Sequence, residues 1–437
     1  MKKNLLLGLC VLLLLSVVSA QPFAEWEPVI NFSEFSDEYF EGTVFYGRFE
    51  FADDKMFMYG FFNVNESYSN ELWYYDLISE EWFFIVEDER HVKPVIDFVS
   101  PLFYDDKLFF FRGTGFHQWS MGTGLTFHDV YLEYYDLVEG DFFNETYFPI
   151  YDFFVPEDEY YAKIDRFGQL FHDDKFYLFG GRIVSKHNVT GNDIISSSNR
   201  SFVYDFSDGY WTELANMPVD FSEISTIRKG NKIFVKGGVE DPGSVLINEL
   251  LIYDIDEDEW EIGAQSPHIT ISPKNVARGV NSFYYVGGVS DYYYWNYSDS
   301  FVRYNVLSNT WDVLPNLPSY MFDGGDKWVY YVGGIGNKLY AVVEHNGADM
   351  VYMLNVPAET PPRRGGGGWP AEVTTVEEVE DGVVVTGSGA PLFAIGVGGE
   401  DGVGAVWVIG VVLLLLIALL YLFLEERLNK KSRRKRR

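Results

Sequence analysis

Cysteine is all but missing: the 437-residue chain has one, Cys10. It lies in an apolar N-terminal run, so the rest of the chain cannot form a disulfide and must be held by a packed core. Histidine is also scarce. The seven are His91, His117, His128, His172, His187, His268 and His345, and none shows paired metal-ligand spacing. Positive charge is short. Residues 21–424 hold 23 basic against 63 acidic residues, a net charge of −40. No strong basic patch survives there, so nucleic acid is not an expected partner. The acidity reads first as a solvated surface and second as an attraction for cations or basic ligands. G-x-S-x-G nucleophile elbows, phosphate loops and zinc motifs are absent, so the expectation is no cofactor and no enzyme.

Two long apolar runs are present. "MKKNLLLGLCVLLLLSVVSA", residues 1–20, joins a basic start to an apolar stretch and the small-x-small ending Val18-Ser19-Ala20. It reads as a secretory signal cut before Gln21, with an uncleaved anchor as the alternative. Residues 404–424 hold no charge over 21 residues, enough to span a hydrocarbon core of roughly 30 Å as a helix. Residues 425–437 follow with eight basic and two acidic side chains. Basic flanks stay cytoplasmic, so a single-pass type I membrane protein is expected, its bulk extracellular or lumenal. A GPI signal would not end on such a cluster; a cleaved surface-sorting tail would need a motif such as LPxTG, which is missing. The tail is also suited to anionic lipid head groups. Residues 357–403, Gly- and Pro-rich around "PPRRGGGGWP", read as a stalk.

Between these ends one phrase returns: "FADDKMFMYGF" at 51–61, "FYDDKLFFFRG" at 103–113, "FHDDKFYLFGG" at 171–181, "RKGNKIFVKGG" at 228–238, "GVNSFYYVGG" at 279–288 and, more weakly, "IGNKLYAVVE" at 335–344. Five or six residues past its lysine-type position come Gly60, Gly113, Gly180-Gly181, Gly237-Gly238 and Gly287-Gly288. A second apolar segment then ends in tyrosine, and seven residues later stands a large aromatic. The pairs are Tyr75/Trp82, Tyr135/Phe142, Tyr204/Trp211, Tyr253/Trp260 and Tyr304/Trp311.

Glycines, then Tyr, then Trp, in units near 50 residues, resemble the kelch repeat over roughly residues 24–356. Phe142 departs from the pattern, and the sixth unit lacks both its glycines and a Tyr/Trp pair. The resemblance implies an all-β fold, a six-bladed kelch-type β-propeller occupying 21–356, beside one C-terminal transmembrane helix. Physics supports the same picture. Each unit offers four short antiparallel strands, a to d, joined by Asp/Asn/Gly turns that tolerate positive φ. One such sheet has two apolar faces, and radial repetition buries both. The tyrosine and tryptophan of each pair are then expected to fill the space between blades. The sixth unit ends at its strand c, "DMVYMLNV", with no tryptophan strand behind it. "AEWEPVI" at 24–30, carrying Trp26, is therefore expected to supply the missing strand d and close the ring.

The N-x-S/T sequons are Asn31, Asn65, Asn144, Asn188, Asn199 and Asn296. Asn65, Asn188, Asn199 and Asn296 are expected in b–c loops, and Asn31 and Asn144 just after d strands. That would set all six on one face, pointing away from the membrane.

Kelch-type copper oxidases need a Tyr–Cys crosslink, which this chain cannot make. "DIDEDEW" at 254–260 starts like a calcium loop, but Glu259 stands where such a loop needs glycine. Sialidase boxes are absent. What remains is a binding surface on the b–c/d–a face. Candidates are Arg112, Phe116, His117 and Trp119 in blade 2, Arg182, Lys186 and His187 in blade 3, and Tyr293, Tyr294 and Trp295 in blade 5. The expected ligand is a protein or carbohydrate. A carbohydrate-active epimerase or lyase using channel carboxylates, and a structural surface protein, are the alternatives.

Overall fold

In the computed structural model the described residues are 25–32, 46–64, 67–88, 101–114, 129–149, 159–187, 193–241, 245–268, 276–291, 296–322, 328–345 and 348–356. Residues 1–20, 357–403, 404–424 and 425–437, on which the leader, stalk, membrane-span and tail expectations fall, lie outside them. Among the described residues no helix is long and apolar enough to cross a membrane.

The chain builds six antiparallel four-stranded sheets, each in the order a-b-c-d. Blade 1 uses Tyr46–Ala52, Lys55–Val64, Ser67–Asp76 and Glu81–Glu87. Blade 2 uses Leu102–Tyr104, Lys107–Thr114, Asp129–Asp136 and Asp141–Phe148. Blade 3 uses Gly168–His172, Lys175–Phe179, Ser201–Asp205 and Tyr210–Leu214. Blade 4 uses Ser225–Lys229, Lys232–Lys236, Leu250–Asp254 and Glu259–Ile262. Blade 5 uses Val276–Arg278, Ser282–Val286, Phe301–Asn305 and Thr310–Val313. Blade 6 takes strands a to c from Val329–Ile335, Lys338–His345 and Ala348–Asn355, and strand d from the other end of the chain, Glu27–Asn31.

Every strand a meets the strand a of both neighbouring blades, which closes a ring of six. The closing strand pairs Glu27 with Met353 and Ile30 with Val351. Extending that register by one residue sets Trp26 opposite Leu354, the relation of Trp to Tyr in other blades. Trp26 is 5% exposed, lies edge-on to Phe301 of blade 5 at 5.9 Å, and accepts the Tyr320 hydroxyl on its carbonyl at 2.7 Å.

The turns follow from their residues. In blades 1 to 3 the a–b turn is Asp-Asp, with φ of 48° and 56° at Asp53 and Asp54 and near-identical values at Asp105/Asp106 and Asp173/Asp174. Two successive positive φ values match the right-handed strand twist. At the c–d turn, Asp76 Oδ1 accepts the N–H of Ile78 and Ser79, and Asp136 and Asn305 repeat the arrangement in blades 2 and 5. In all six blades the residue after strand c donates its N–H to the a–b turn, from Leu77 to Asp54 through Val356 to Asn337, at 2.8–3.1 Å.

The core is six separate cores, one at each blade junction. The repeat's aromatic pairs sit there with ring centroids 4.8–5.3 Å apart. Two junctions carry a further clasp. Between blades 3 and 4, Asp258 accepts the Ala215 N–H at 2.8 Å and the Tyr253 hydroxyl at 2.7 Å, while Trp260 donates to the Ala215 carbonyl at 2.8 Å. Between blades 4 and 5, Asn309 and Trp311 hold Ala264 in the same way.

The expected pairs do lie at the junctions, with unequal burial: Tyr75 is buried, whereas Trp82 is half-buried against the same core. The physical reason is its place on strand d, the outermost of the blade, where one side of the ring meets solvent. Trp82 therefore caps the edge of the core, edge-on to Tyr75 at 5.1 Å and tilted against Phe32 at 5.5 Å. Phe142, Trp211, Trp260 and Trp311 are half-buried on their own outer strands in the same way, while Tyr135, Tyr204, Tyr253 and Tyr304 are buried. Two expectations need correction. Gly60 and Gly113 do not end strand b: both lie inside it, opposite Glu71 and Val130, because a single glycine lets the ladder continue where a positive-φ pair breaks it. Asn144 does not follow strand d. It sits within it, opposite Glu133 and exposed on the outermost strand, because this strand runs on to Phe148.

Gly333-Gly334, one strand earlier than the glycine pairs of other units, belongs to strand a. A Cβ on Gly333 would lie 2.4 Å from Phe51 Cδ2 of blade 1, so that glycine serves the ring-closing contact.

Candidate functional site

The b–c connections of blades 3, 4 and 5 share one device. Gly180 and Gly181 have φ of 58° and 105°, Gly237 and Gly238 74° and 137°, Gly287 and Gly288 67° and 105°. A Cβ on Gly180 would also meet the Phe221 carbonyl at 2.6 Å, so only glycine fits. Each pair ends strand b and launches a second hairpin outward. In blade 3 this is Arg182–His187 with Asp193–Ser197, joined by Glu159–Asp165 from the preceding d–a connection into a three-stranded sheet. Blade 4 gives Val239–Glu240 with Val245–Leu246, and blade 5 gives Val289–Asp291 with Asn296–Tyr297.

The three hairpins lock together. Ser197 Oγ donates to the Val239 carbonyl at 3.0 Å and accepts the Asp241 N–H at 2.7 Å, and Ser222 Oγ donates to Asp241 at 2.9 Å. Val239, Leu246, Val289 and Tyr297 pack as a small core, with Tyr297 stacked on Trp328 at 5.2 Å. Ile195 and Val245 remain exposed, at 39% and 52%. The result is a continuous wall over half the ring.

Arg182, Lys186 and His187 lie on one strand of the outward sheet, where Arg182 pairs with Asp165 and Ser197, Lys186 with Asp193 and His187 with Glu159. Arg112 is not among them; it lies in strand b of blade 2, opposite Tyr131. Phe116, His117, Trp119, Tyr293, Tyr294 and Trp295 fall outside the described residues, as do Asn65 and Asn188. Asn199 and Asn296 lie in b–c connections, and Asn31 ends the closing strand.

Sequence reasoning missed a buried ion pair on this face. Arg166 and Glu223, each two residues ahead of a strand a, meet at 2.7 Å with side chains 8% and 10% exposed. Both adopt left-handed backbone, φ 61° and 59°, and the Glu223 N–H donates to the Arg166 carbonyl at 2.8 Å. Such conformations are costly for residues with a Cβ and persist where the surroundings over-determine them. Only their shared offset from strand a marks them in the sequence. Deeper between blades 4 and 5, the Lys236 ammonium lies 5.1 Å over the Tyr285 ring. Burial pulls this amine down to about 8 and pushes the Tyr285 phenol up.

"DIDEDEW" is the c–d turn of blade 4. Asp254 accepts the Asp256 N–H at 3.1 Å, and Asp258 is committed to the clasp. Among the described residues no group of three or more His, Cys, Asp or Glu is placed to hold a metal.

No family model matches the chain. It is similar to Kelch-like protein 41b of Danio rerio, 28% identical over 112 residues, which covers 26% of this chain and 17% of that protein. It is also similar to Kelch-like protein terF of Aspergillus terreus, 28% identical over 149 residues, 31% of this chain and 32% of that one. The chain thus spans a third or less of the length of these curated relatives. The solved structure of YjhT aligns with a TM-score of 0.40 at 15% identity, over 55% of this chain and 70% of that one. The six-sheet ring is that of a six-bladed β-propeller, and the repeat pattern is similar to that of proteins named kelch-like.

Proposed function

We propose that this chain is a membrane-anchored interaction module, a kelch-type propeller that binds a protein or carbohydrate ligand on its b–c/d–a face and acts by binding rather than turnover. The interlocked hairpin wall of blades 3 to 5 carries the reading. It is built outward from the ring, braced by side-chain hydrogen bonds and its own small core, and exposes the apolar side chains of Ile195 and Val245. Braced supports that expose apolar side chains are what recognition surfaces use. The anchor reading rests on the leader-like residues 1–20 and the uncharged run 404–424 before a basic tail. In that reading the propeller is extracellular or lumenal and the tail cytoplasmic.

Photo-crosslinking amino acids placed at Ile195 and Val245 in the full chain test the face. The expected result is covalent capture of a partner from these sites and none from Val280 or Leu307, exposed on blade 5 turns of the opposite face. Capture from Val280 and Leu307 alone would overturn it. Protease digestion of intact cells or sealed vesicles tests the anchor: the propeller and the basic tail should be cut from opposite sides.

A further inference from the structure

On the opposite face, a cleft of about 190 Å³ opens between blades 2 and 3, lined by Tyr104, Phe109, Tyr134 and Phe206 with Asp105, Lys107, Glu145 and Asp174 at its edges. Its walls are fixed. The Tyr104 hydroxyl donates to Asp174 Oδ1 at 2.8 Å and accepts the Asp174 N–H at 3.0 Å, while its ring stacks on Phe171 at 5.1 Å. Glu145 accepts the Tyr204 hydroxyl at 3.2 Å.

Glu145 is the informative residue. In blade 2, Leu132 pairs with Thr146 and Glu133 with Asn144, which leaves Glu145 as the extra residue of a β-bulge. Blade 1 has the same bulge, Leu72 with Val86 and Trp73 with Phe84, and its extra residue is Ile85, packed in the junction core. A bulge re-aims a side chain. Here it turns a carboxylate into a junction where the neighbouring repeat places an aliphatic group. Blades 3 and 5 carry Leu214 and Leu314 three residues past their tryptophans, as Glu145 stands past Phe142.

The cleft already holds one ammonium. Lys107 Nζ lies 5.7 Å over the Tyr134 ring and 3.6 Å from Asp105. Glu145 and Asp174 form no ion pair of their own among the described residues. Burial, then the charge of Glu145, raises the Tyr134 phenol, in keeping with surplus negative potential. The turns around the cleft, 105–107, 136–141, 173–175 and 205–210, hold nine acidic residues and two lysines.

The geometry points to a second binding site, independent of the hairpin wall: the cleft between blades 2 and 3 receives a primary ammonium, the lysine side chain of a basic protein segment. Aromatic walls attract a cation face-on. The two carboxylates accept the N–H donors that a primary ammonium has and a quaternary one lacks. The acidic turns favour a segment that is itself basic.

The test uses the full chain with a short glycine-flanked peptide carrying one lysine, and carbodiimide to couple amine to carboxylate where they touch. Mass spectrometry then locates the bond. Coupling is expected at Glu145 or Asp174, about tenfold above the acidic blade 4 turn 254–259, which does not line the cleft. Free n-butylammonium should compete, and a norleucine peptide should not. Glu145→Gln, which keeps an acceptor for the Tyr204 hydroxyl, should keep the thermal midpoint and abolish coupling at Asp174; Glu145→Ile, which installs the blade 1 residue but strands that hydroxyl, should abolish the coupling with a lowered midpoint. Coupling spread over all acidic turns and indifferent to either variant would overturn the proposal. Equal competition by the norleucine peptide would do the same.

Discussion

At the scale of single residues, the repeat's polar groups join neighbouring blades alongside its aromatics. Asp258 ties two groups from two blades, the Tyr253 hydroxyl and the Ala215 N–H, while the Trp260 indole separately holds the Ala215 carbonyl. Asp258→Ala strands a buried phenol and a backbone donor and is expected to cost about 1–3 kcal/mol in denaturant unfolding. The equivalent position in blade 3 is Gly209, which has no side chain to offer, and Trp211 Nε1 is buried with no acceptor among the described residues. The Tyr/Trp spacing was legible from sequence because it recurs five times. The unequal burial of its two members was not, because spacing does not say that Trp82 stands on an outer strand and Tyr75 on an inner one. The clasp was hidden too, because its acceptor changes from Asp258 to Asn309 and its third member is a backbone group.

The c–d turns give a pH dependence at the same scale. The Ser207 hydroxyl and N–H hold the Asp205 carboxyl down at about 2, against an ordinary 3.8. The Ser79 N–H and the Glu139 N–H likewise lower Asp76 and Asp136. A depressed folded-state value means that the contribution is present above pH 3.8 and disappears as pH falls toward about 2. Asp205→Asn keeps the acceptor, as Asn305 does in blade 5, but cannot titrate. Its stability should fall less steeply than that of the parent across this window, read by chemical denaturation at each pH.

At the scale of elements, the inner a–b hairpins were readable because the turn chemistry repeats with the strands. The outward hairpins of blades 3 to 5 were seen only as long loops, since their strands are two to six residues long and show no clear alternation. The shared bulge at Ile85 and Glu145 was also invisible: a bulge is a property of pairing, not of composition. The Arg166–Glu223 pair joins residues 57 positions apart that no motif connects. An element-level prediction follows from the closest approach in the ring. Gly333→Ala places a Cβ where Phe51 already stands, so it should lower the thermal midpoint, and Phe51→Ala on top should recover part of the loss.

At the scale of the whole molecule, the two ends of the propeller share one sheet. Trp26 fills the junction of blades 5 and 6 with Phe301, Leu314 and Val343. Trp26→Ala should cost about 3–5 kcal/mol, because a large buried ring leaves a cavity that strands on both sides cannot close. The expectation that 24–30 completes the last blade came from counting: five complete units, one lacking its final strand, and a tryptophan segment left over at the front. Which face binds was legible only in outline. Long loops announced the b–c side, but the glycine-launched hairpins that brace it required the structure. The cleft on the other side arises from a departure within the repeat, visible only once registers are known.

Ring closure by the N-terminal strand underlies the assignment of both faces, and cysteine pairing tests it directly. The only native cysteine, Cys10, is removed by substitution, and Glu27→Cys is combined with Met353→Cys, residues directly opposite in the closing pair. A closed ring predicts ready oxidation to an intramolecular disulfide and a raised thermal midpoint, since the bond would span nearly the entire propeller. Glu27→Cys combined with a cysteine at Val245, on the outward hairpin of blade 4, should remain reduced. Failure of the 27/353 pair to cross-link in folded protein, or equal cross-linking of the control pair, would contradict the ring.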